Sequence, residues 1–288
     1  MSLITFSVVL FAALLHATWN ALIKVSGDRL AIMAVITAST ALLVTPLLFI
    51  LPIPEKASWP YLAASALIHA GYMLVLVKAY GHGDFSQIYP IARGSAPLLT
   101  ALLGFVFIGE VVSGQELLGM FLIVGGIVAF ALESPRKNVQ QGRTKISSIG
   151  LGLSLLVGLF ITSYSLVDGL GARVSGNAFS FTAWTFFFDG FIVTSIAFVR
   201  RRGQLSTTLV KVWKPGILVA FISAIAYSLV VWSFTLSPIG LVSTLRETSV
   251  LFALLISAFL IREKFSRYRV IMSTVILLGI GMIGLASL

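Results

Sequence analysis

Arg93-Gly94-Ser95-Ala96-Pro97-Leu98 and, 153 residues later, Arg246-Glu247-Thr248-Ser249-Val250-Leu251 are the stretches on which the fold turns. The same offset lays Ile108-Gly109-Glu110 on Ile261-Arg262-Glu263, so an arginine and a glutamate seventeen residues apart recur in one register. Apolar matches between such segments arise by chance, but ionisable residues are rare in lipid and seldom recur together by accident. The chain therefore reads as a duplication. Around these stretches lie ten apolar runs, near residues 3–23, 31–51, 61–80, 87–108, 116–133, 149–167, 178–199, 216–236, 239–261 and 268–287. Each copy holds five of them, an odd number, so the second copy must enter the bilayer from the opposite side to the first. The expected fold is an all-α membrane protein of ten transmembrane helices in two inverted-topology repeats of five, an architecture used by many secondary transporters.

Composition agrees. Of 288 residues 58% are apolar and 10% charged, against about 25% charged in soluble domains. Mean hydropathy is +1.03. Spans of roughly 20 residues leave no room for a separate soluble domain. The absence of cysteine excludes a disulfide framework, a zinc-thiolate site and a thiol nucleophile. Ser26-Gly27-Asp28-Arg29, Pro52-Ile53-Pro54, Gly81-His82-Gly83-Asp84 and Ser237-Pro238 are turn signals unsuited to the middle of a helix in lipid. The polar, basic stretch from Ser134 to Ser148 divides the chain into a first repeat, 1–134, a cytoplasmic linker, 135–148, and a second repeat, 149–288. No Lys or Arg precedes the first run, so it reads as a helix and not as a signal peptide. The net charge of +10 is topological: odd-numbered breaks hold sixteen basic residues and even-numbered breaks two, Lys56 and Arg173. The positive-inside rule then places the odd breaks in the cytoplasm and both termini outside.

Phe107-Ile108-Gly109-Glu110 and Leu260-Ile261-Arg262-Glu263 each close an apolar helix, and each precedes a glycine-bearing one, Gly119 through Gly126 and Val275 through Gly281. In this pattern the chain resembles the EamA-type members of the drug/metabolite transporter superfamily, although Arg262 stands where that pattern usually has Gly. The resemblance implies a small-solute carrier of a bacterial inner membrane, often an exporter of amino acids or other metabolites. The aromatic amino acid exporters are the nearest kind within it.

Ionisable groups inside spans cost roughly 2.5 to 3.5 kcal/mol at the bilayer centre on translocon scales, so each needs an account. Arg93, Arg246, Glu247, Asp189, His16 and His69 stand out. Arg93 and Arg246 are repeat equivalents that the inverted symmetry brings together from opposite faces. Arg246 has Glu247 beside it, which leaves Arg93 as the unopposed cation for a substrate carboxylate. On the first span His16, Trp19 and Asn20 share a face, with Tyr164 in roughly the matching place on the sixth. His69 and Tyr72 on the third span answer to Tyr227 and Trp232 on the eighth, and Tyr89 lies one turn before Arg93. These residues form the expected substrate-binding set, an apolar cavity with a few polar groups. Each also has a bland account, in which arginines snorkel, aromatic rings pack or form an interfacial belt, and Asp189 bonds to a hydroxyl as readily as it serves a proton or cation.

No Ser-His-Asp set, HExxH helix, paired catalytic carboxylates or phosphate-binding glycine loop is present, so neither an enzyme nor an ATP-driven mechanism is indicated. His16, His69 and His82 have no metal-ligand spacing. No cofactor, metal or nucleic acid is expected, and the chain is read as a monomer. The expected function is export of amino acids, including aromatic or large apolar ones, by alternating access. The alternatives are an exchanger of anionic metabolites such as phosphorylated sugars, or a multidrug exporter.

Overall fold

Where no water can satisfy the backbone, apolar runs fold as helices, which bond their own N–H and C=O groups. The computed structural model describes residues 1–24, 29–82, 85–132, 147–200, 205–261 and 266–288. Its helices are α1 (Leu3–Lys24), α2 (Arg29–Val44), α3 (Leu47–Ile50), α4 (Trp59–Tyr80), α5 (Phe85–Leu103), α6 (Gly114–Leu132), α7 (Ser148–Arg173), α8 (Ala178–Arg200), α9 (Leu205–Phe234), α10 (Ile239–Glu247), α11 (Ser249–Ile261) and α12 (Arg267–Leu285). Among the described residues there is no strand, and seven helical segments are long and apolar enough to cross a membrane. Two more, Val35–Ile50 and Gly114–Ala129, are shorter apolar helices. The second expected run is broken at Thr45-Pro46, where proline cannot donate to the preceding turn, and the ninth divides at Thr248. The sixth ends at Arg173 and not near residue 167, which places Asp168 within the helix. Most of the basic linker, and Arg262, lie outside the described residues.

The molecule is apolar outside and polar within. Phe49, Phe107, Leu42, Leu67 and Phe191 are largely exposed, whereas Arg93, Arg246, Glu247, Asp168 and a series of Ser and Thr hydroxyls are buried. Such a surface suits lipid and not water. Most buried hydroxyls bond the carbonyl one turn back, as Thr100 does to Ala96, so they satisfy themselves without neighbours.

Packing carries the duplication into three dimensions. α4 packs on α7 as α1 packs on α9, α5 on α7 as α1 on α11, and α2 on α9 as α4 on α8. Exchanging the two halves of the chain maps each of these contacts onto its partner. The α6–α12 contact shows it atom by atom. A Cβ on Gly126 would meet Ile276 and the Met272 carbonyl, and one on Gly279 would meet Ile123 and the Gly119 carbonyl. All three correspondences, Gly126 with Gly279, Gly119 with Met272 and Ile123 with Ile276, are spaced by 153 residues. As α6 advances from Gly119 to Gly126 its partner runs back from Ile283 to Ile276, so the helices are antiparallel. A twofold that makes equivalent helices antiparallel lies across them, which is the geometry of an inverted repeat.

Gly119 and Gly279 have no space to yield, since a Cβ on either would stand 2.7–2.8 Å from the other's carbonyl oxygen. Gly279→Val is expected to lower stability by about 1–3 kcal/mol, the usual cost of forcing volume into a packed contact. Gly281→Val, at a position with nothing within 4 Å, is expected to leave it nearly unchanged. Thermal unfolding of the two variants in the same detergent checks the difference.

Candidate functional site

The site begins at the break between α10 and α11. The Thr248 hydroxyl donates to the Leu245 carbonyl at 2.6 Å, and its N–H turns back to the same oxygen, which tightens the turn and ends α10. Ser95, the repeat equivalent, bonds the Ala92 carbonyl at 3.2 Å in the same three-residue pattern. The two hydroxyls thus follow Arg246-Glu247 and Arg93-Gly94 by the same step. Discontinuous helices at a repeat interface are where carriers expose groups to a substrate.

Glu247 bridges both arginines. Its Oε2 lies 2.7 Å from Arg93 Nε, and its Oε1 lies 3.5 Å from Arg246 Nη2. The expectation that Arg93 is the unopposed cation is therefore overturned. Successive helical residues point about 100° apart, so Glu247 is directed across to α5 and not along its own helix. Arg93 Nη2 also meets His16 Nε2 at 3.1 Å, and because guanidinium has no acceptor, that nitrogen accepts and the His16 hydrogen sits on Nδ1. Arg246 is held less completely. Its side chain is 4% exposed, its contact with Glu247 is long, and its buried Nε has no hydrogen-bond partner.

A second polar group lies alongside. His69 stacks on Tyr164 with ring centroids 4.4 Å apart, and Tyr72 and Tyr227 meet Tyr164 edge-on at 5.9 and 6.5 Å. Phe186 closes on Tyr227 at 5.8 Å. Asp168 accepts from the Tyr227 hydroxyl, and Asp189 Oδ2 lies 3.3 Å from His69 Nδ1. Asp189 keeps an unpartnered carboxylate oxygen, Oδ1, and Asp168 has the Ser65 hydroxyl as a second neighbour. Arg246 acts electrostatically on both Tyr164 and Asp168, so the two groups form one polar layer across α1, α4, α5, α7, α8, α9 and α10.

Residues 148–285 match the model of the EamA-like transporter family. The match spans the second of the two repeats. EamA-like proteins form part of the drug/metabolite transporter superfamily, and the chain is accordingly a multi-pass membrane transporter of small solutes. It is similar to a solved structure described only as "Crystal structure of protein", with TM-score 0.76 at 14% identity over 96% of this chain and 97% of that one. At that identity the likeness concerns the fold. No curated protein matches the sequence.

Within this EamA-like fold the other expected site residues scatter. Asn20 donates to the His16 carbonyl at 2.8 Å, in its own helix. Trp19 meets the His16 ring edge-on and packs on Ile36, Val219 and Ala220, between α1, α2 and α9. Trp232 does not share the surroundings of Tyr227. Five residues further along α9 it has turned about 140° away, and it lines a shallow surface depression with Arg173, Asn177 and Thr235. The side chain of Tyr89 lies outside the described residues.

Sequence reading missed Asp168, which fell one residue beyond the expected sixth span, and Ser65, whose hydroxyl meets His69 Nδ1 at 3.2 Å. The Gly-Glu pair of the EamA-type pattern also acquires a structural role. A π-helical turn, Gly104–Ile108, ends at Gly109 in the left-handed region, φ 73°. That conformation turns the chain so that Glu110 accepts from Arg173 and from the Ile239 N–H, while Arg173 donates to the Phe234 and Ser237 carbonyls. One ion pair thereby ties the α5–α6 connection to α7 and to the α9–α10 turn. Arg173→Met leaves Glu110 and both carbonyls short of a donor, and is expected to lower stability by about 1–3 kcal/mol. Thermal unfolding measures it, and an unchanged melting temperature would show that the pair holds nothing.

Proposed function

We propose that this transporter exports amino acids, including aromatic and large apolar ones, across a bacterial inner membrane by alternating access, and that Arg246 receives the substrate carboxylate. The observation that carries the reading is the underfilled buried guanidinium of Arg246 beside a wall of aromatic rings. Within the Arg93–Glu247–Arg246 group, two arginines and one glutamate leave a single unit of positive charge, since His16 accepts from Arg93 as a neutral ring. One positive charge complements a carboxylate better than it does a doubly charged phosphate. Tyr72, Tyr164, Tyr227 and Phe186 supply apolar surface with hydroxyl tips, suited to a large side chain. His16 borders this space from α1, while His69 and Arg93 act on it through Tyr164 and Glu247.

The accompanying architecture is ten crossings with both termini outside, two repeats at 1–134 and 149–288 joined by a cytoplasmic linker, and a monomeric working unit. Sixteen basic residues in odd breaks against two in even ones support the orientation. A reporter fused after Leu288 that fluoresces only in a reducing cytoplasm is expected to stay dark, and a bright fusion reverses the topology. The Glu110–Arg173 ion pair joins elements on the even-break side, which supports a conformer closed toward the outside.

A thermal-shift screen of the purified protein against amino acids, phosphorylated sugars and cationic drugs tests the substrate class, because a ligand that binds the native state raises the melting temperature. Stabilisation by phenylalanine and its relatives is expected. Stabilisation by sugar phosphates or cationic drugs alone would replace the reading with one of those classes.

A further inference from the structure

The two aspartates of the polar layer have no part in holding a carboxylate, and their placement calls for a separate account. Asp168 is fully buried, and Asp189 Oδ1 is shielded although the side chain is 16% exposed. On each, one oxygen is engaged; Asp189 Oδ1 has no donor, and Asp168 has only the Ser65 hydroxyl as a further neighbour. His69 Nδ1 lies 3.1 Å from the Ser65 carbonyl and 3.3 Å from Asp189 Oδ2, both acceptors, so Nδ1 carries its hydrogen. A buried carboxylate oxygen without a donor is an incomplete arrangement, and a proton on it supplies what is missing. Among the described residues no group of three or more His, Asp and Glu is arranged to hold a metal ion.

We propose that Asp168 and Asp189, with His69 between them, form a proton-binding site that couples substrate export to inward proton movement. This rests on the export reading above. The surroundings of the pair are defined on every side. α4 presents Ser65 and His69, α7 presents Tyr164, α9 presents Tyr227, and α10 presents the Arg246 cation that acts on Asp168. Asp168 and Asp189 act on each other. α2, which packs on α8 at Gly190, brings no ionisable side chain after Arg29. The step is a simple transfer: a carboxylate oxygen takes a proton from water on the outer side, the helices exchange access, and the carboxylic acid returns it to water on the cytoplasmic side. Arg246 links the two events. Asp168 and the carboxylate-binding Arg246 lie in one polar layer, so a single change of access serves both the proton and the substrate.

The full-length protein in proteoliposomes tests this with Asp168→Asn and Asp189→Asn, each of which keeps an acceptor for its present partner. Labelled phenylalanine is followed in counterflow and in accumulation driven by a pH gradient. The wild type is expected to show both. The variants are expected to keep counterflow, which needs no net proton movement, and to lose gradient-driven accumulation by about tenfold or more. Infrared difference spectra of the purified proteins give a readout that needs no substrate. The carbonyl band of a protonated carboxylic acid should fade in the wild type as pH rises and should be reduced in each variant. Unchanged accumulation in both variants, a band that persists in both, or accumulation driven by a sodium gradient and not by a pH gradient would overturn the proton site. Absence of phenylalanine counterflow, with the infrared band behaving as expected, defeats the substrate assignment and leaves the proton site supported.

Discussion

Arg246→Lys is expected to reduce phenylalanine export by about 10- to 100-fold while the protein remains folded. A charge-assisted hydrogen bond contributes about 1.5–3 kcal/mol, and at about 1.4 kcal/mol per factor of ten that is the loss when a planar fork becomes a point charge. Lysine keeps the charge and can still reach Glu247, which lies 3.5 Å from the present guanidinium. The loss therefore falls on substrate recognition more than on stability. Arg93→Lys gives the contrast. Arg93 Nε already contacts Glu247 at 2.7 Å and its Nη2 meets His16, so its substitution should act first on stability and only through that on transport. Labelled uptake at matched reconstitution, with melting temperatures in parallel, separates the two. Equal transport by wild type and Arg246→Lys would remove Arg246 from the site.

Glu247→Gln is expected to destabilise the protein more than any other single change in the polar layer, by about 3–5 kcal/mol, because it leaves two buried arginines without a counter-ion. Arg93 has 11% of its side chain exposed and Arg246 has 4%, so water compensates neither. The double variant Glu247→Gln with Arg93→Met removes one of the two cations and should recover a large part of the stability, since neighbours in one network do not add. Chemical unfolding in mild detergent of the wild type, both singles and the double closes the cycle. A Glu247→Gln protein as stable as the wild type would show that the carboxylate is not needed to balance the charge.

The duplication was legible because its markers are chemically rare. An Arg and a Glu repeated at one offset of 153 residues predicted a twofold relation, and the exchange of contacts at Gly126 and Gly279 has that spacing. The polar layer was legible only in part. His16, His69, Tyr72, Arg93, Tyr164, Tyr227, Arg246 and Glu247 do meet in it, since ionisable and hydroxyl-bearing groups in lipid must turn inward to find partners. How they pair was not legible. Adjacency along the chain suggested that Glu247 serves Arg246, whereas helical geometry gives its shorter contact to Arg93. Asp168 was lost to a helix boundary, and Trp232 was misplaced because a spacing of five residues turns a side chain toward a different neighbour. Glu110 was read only as the end of a pattern, since its partner Arg173 comes from the other repeat and nothing in local sequence joins them.

A carboxylate-bearing, apolar solute should be exchanged through the layer between the two repeats. Counterflow in proteoliposomes tests it most directly. Vesicles preloaded with unlabelled phenylalanine and diluted into labelled phenylalanine should take up label transiently above equilibrium, as a carrier requires and a channel or enzyme cannot produce. The overshoot should be present with the wild type and strongly reduced with Arg246→Lys. No overshoot with phenylalanine, alongside a clear one with a sugar phosphate, would contradict the account.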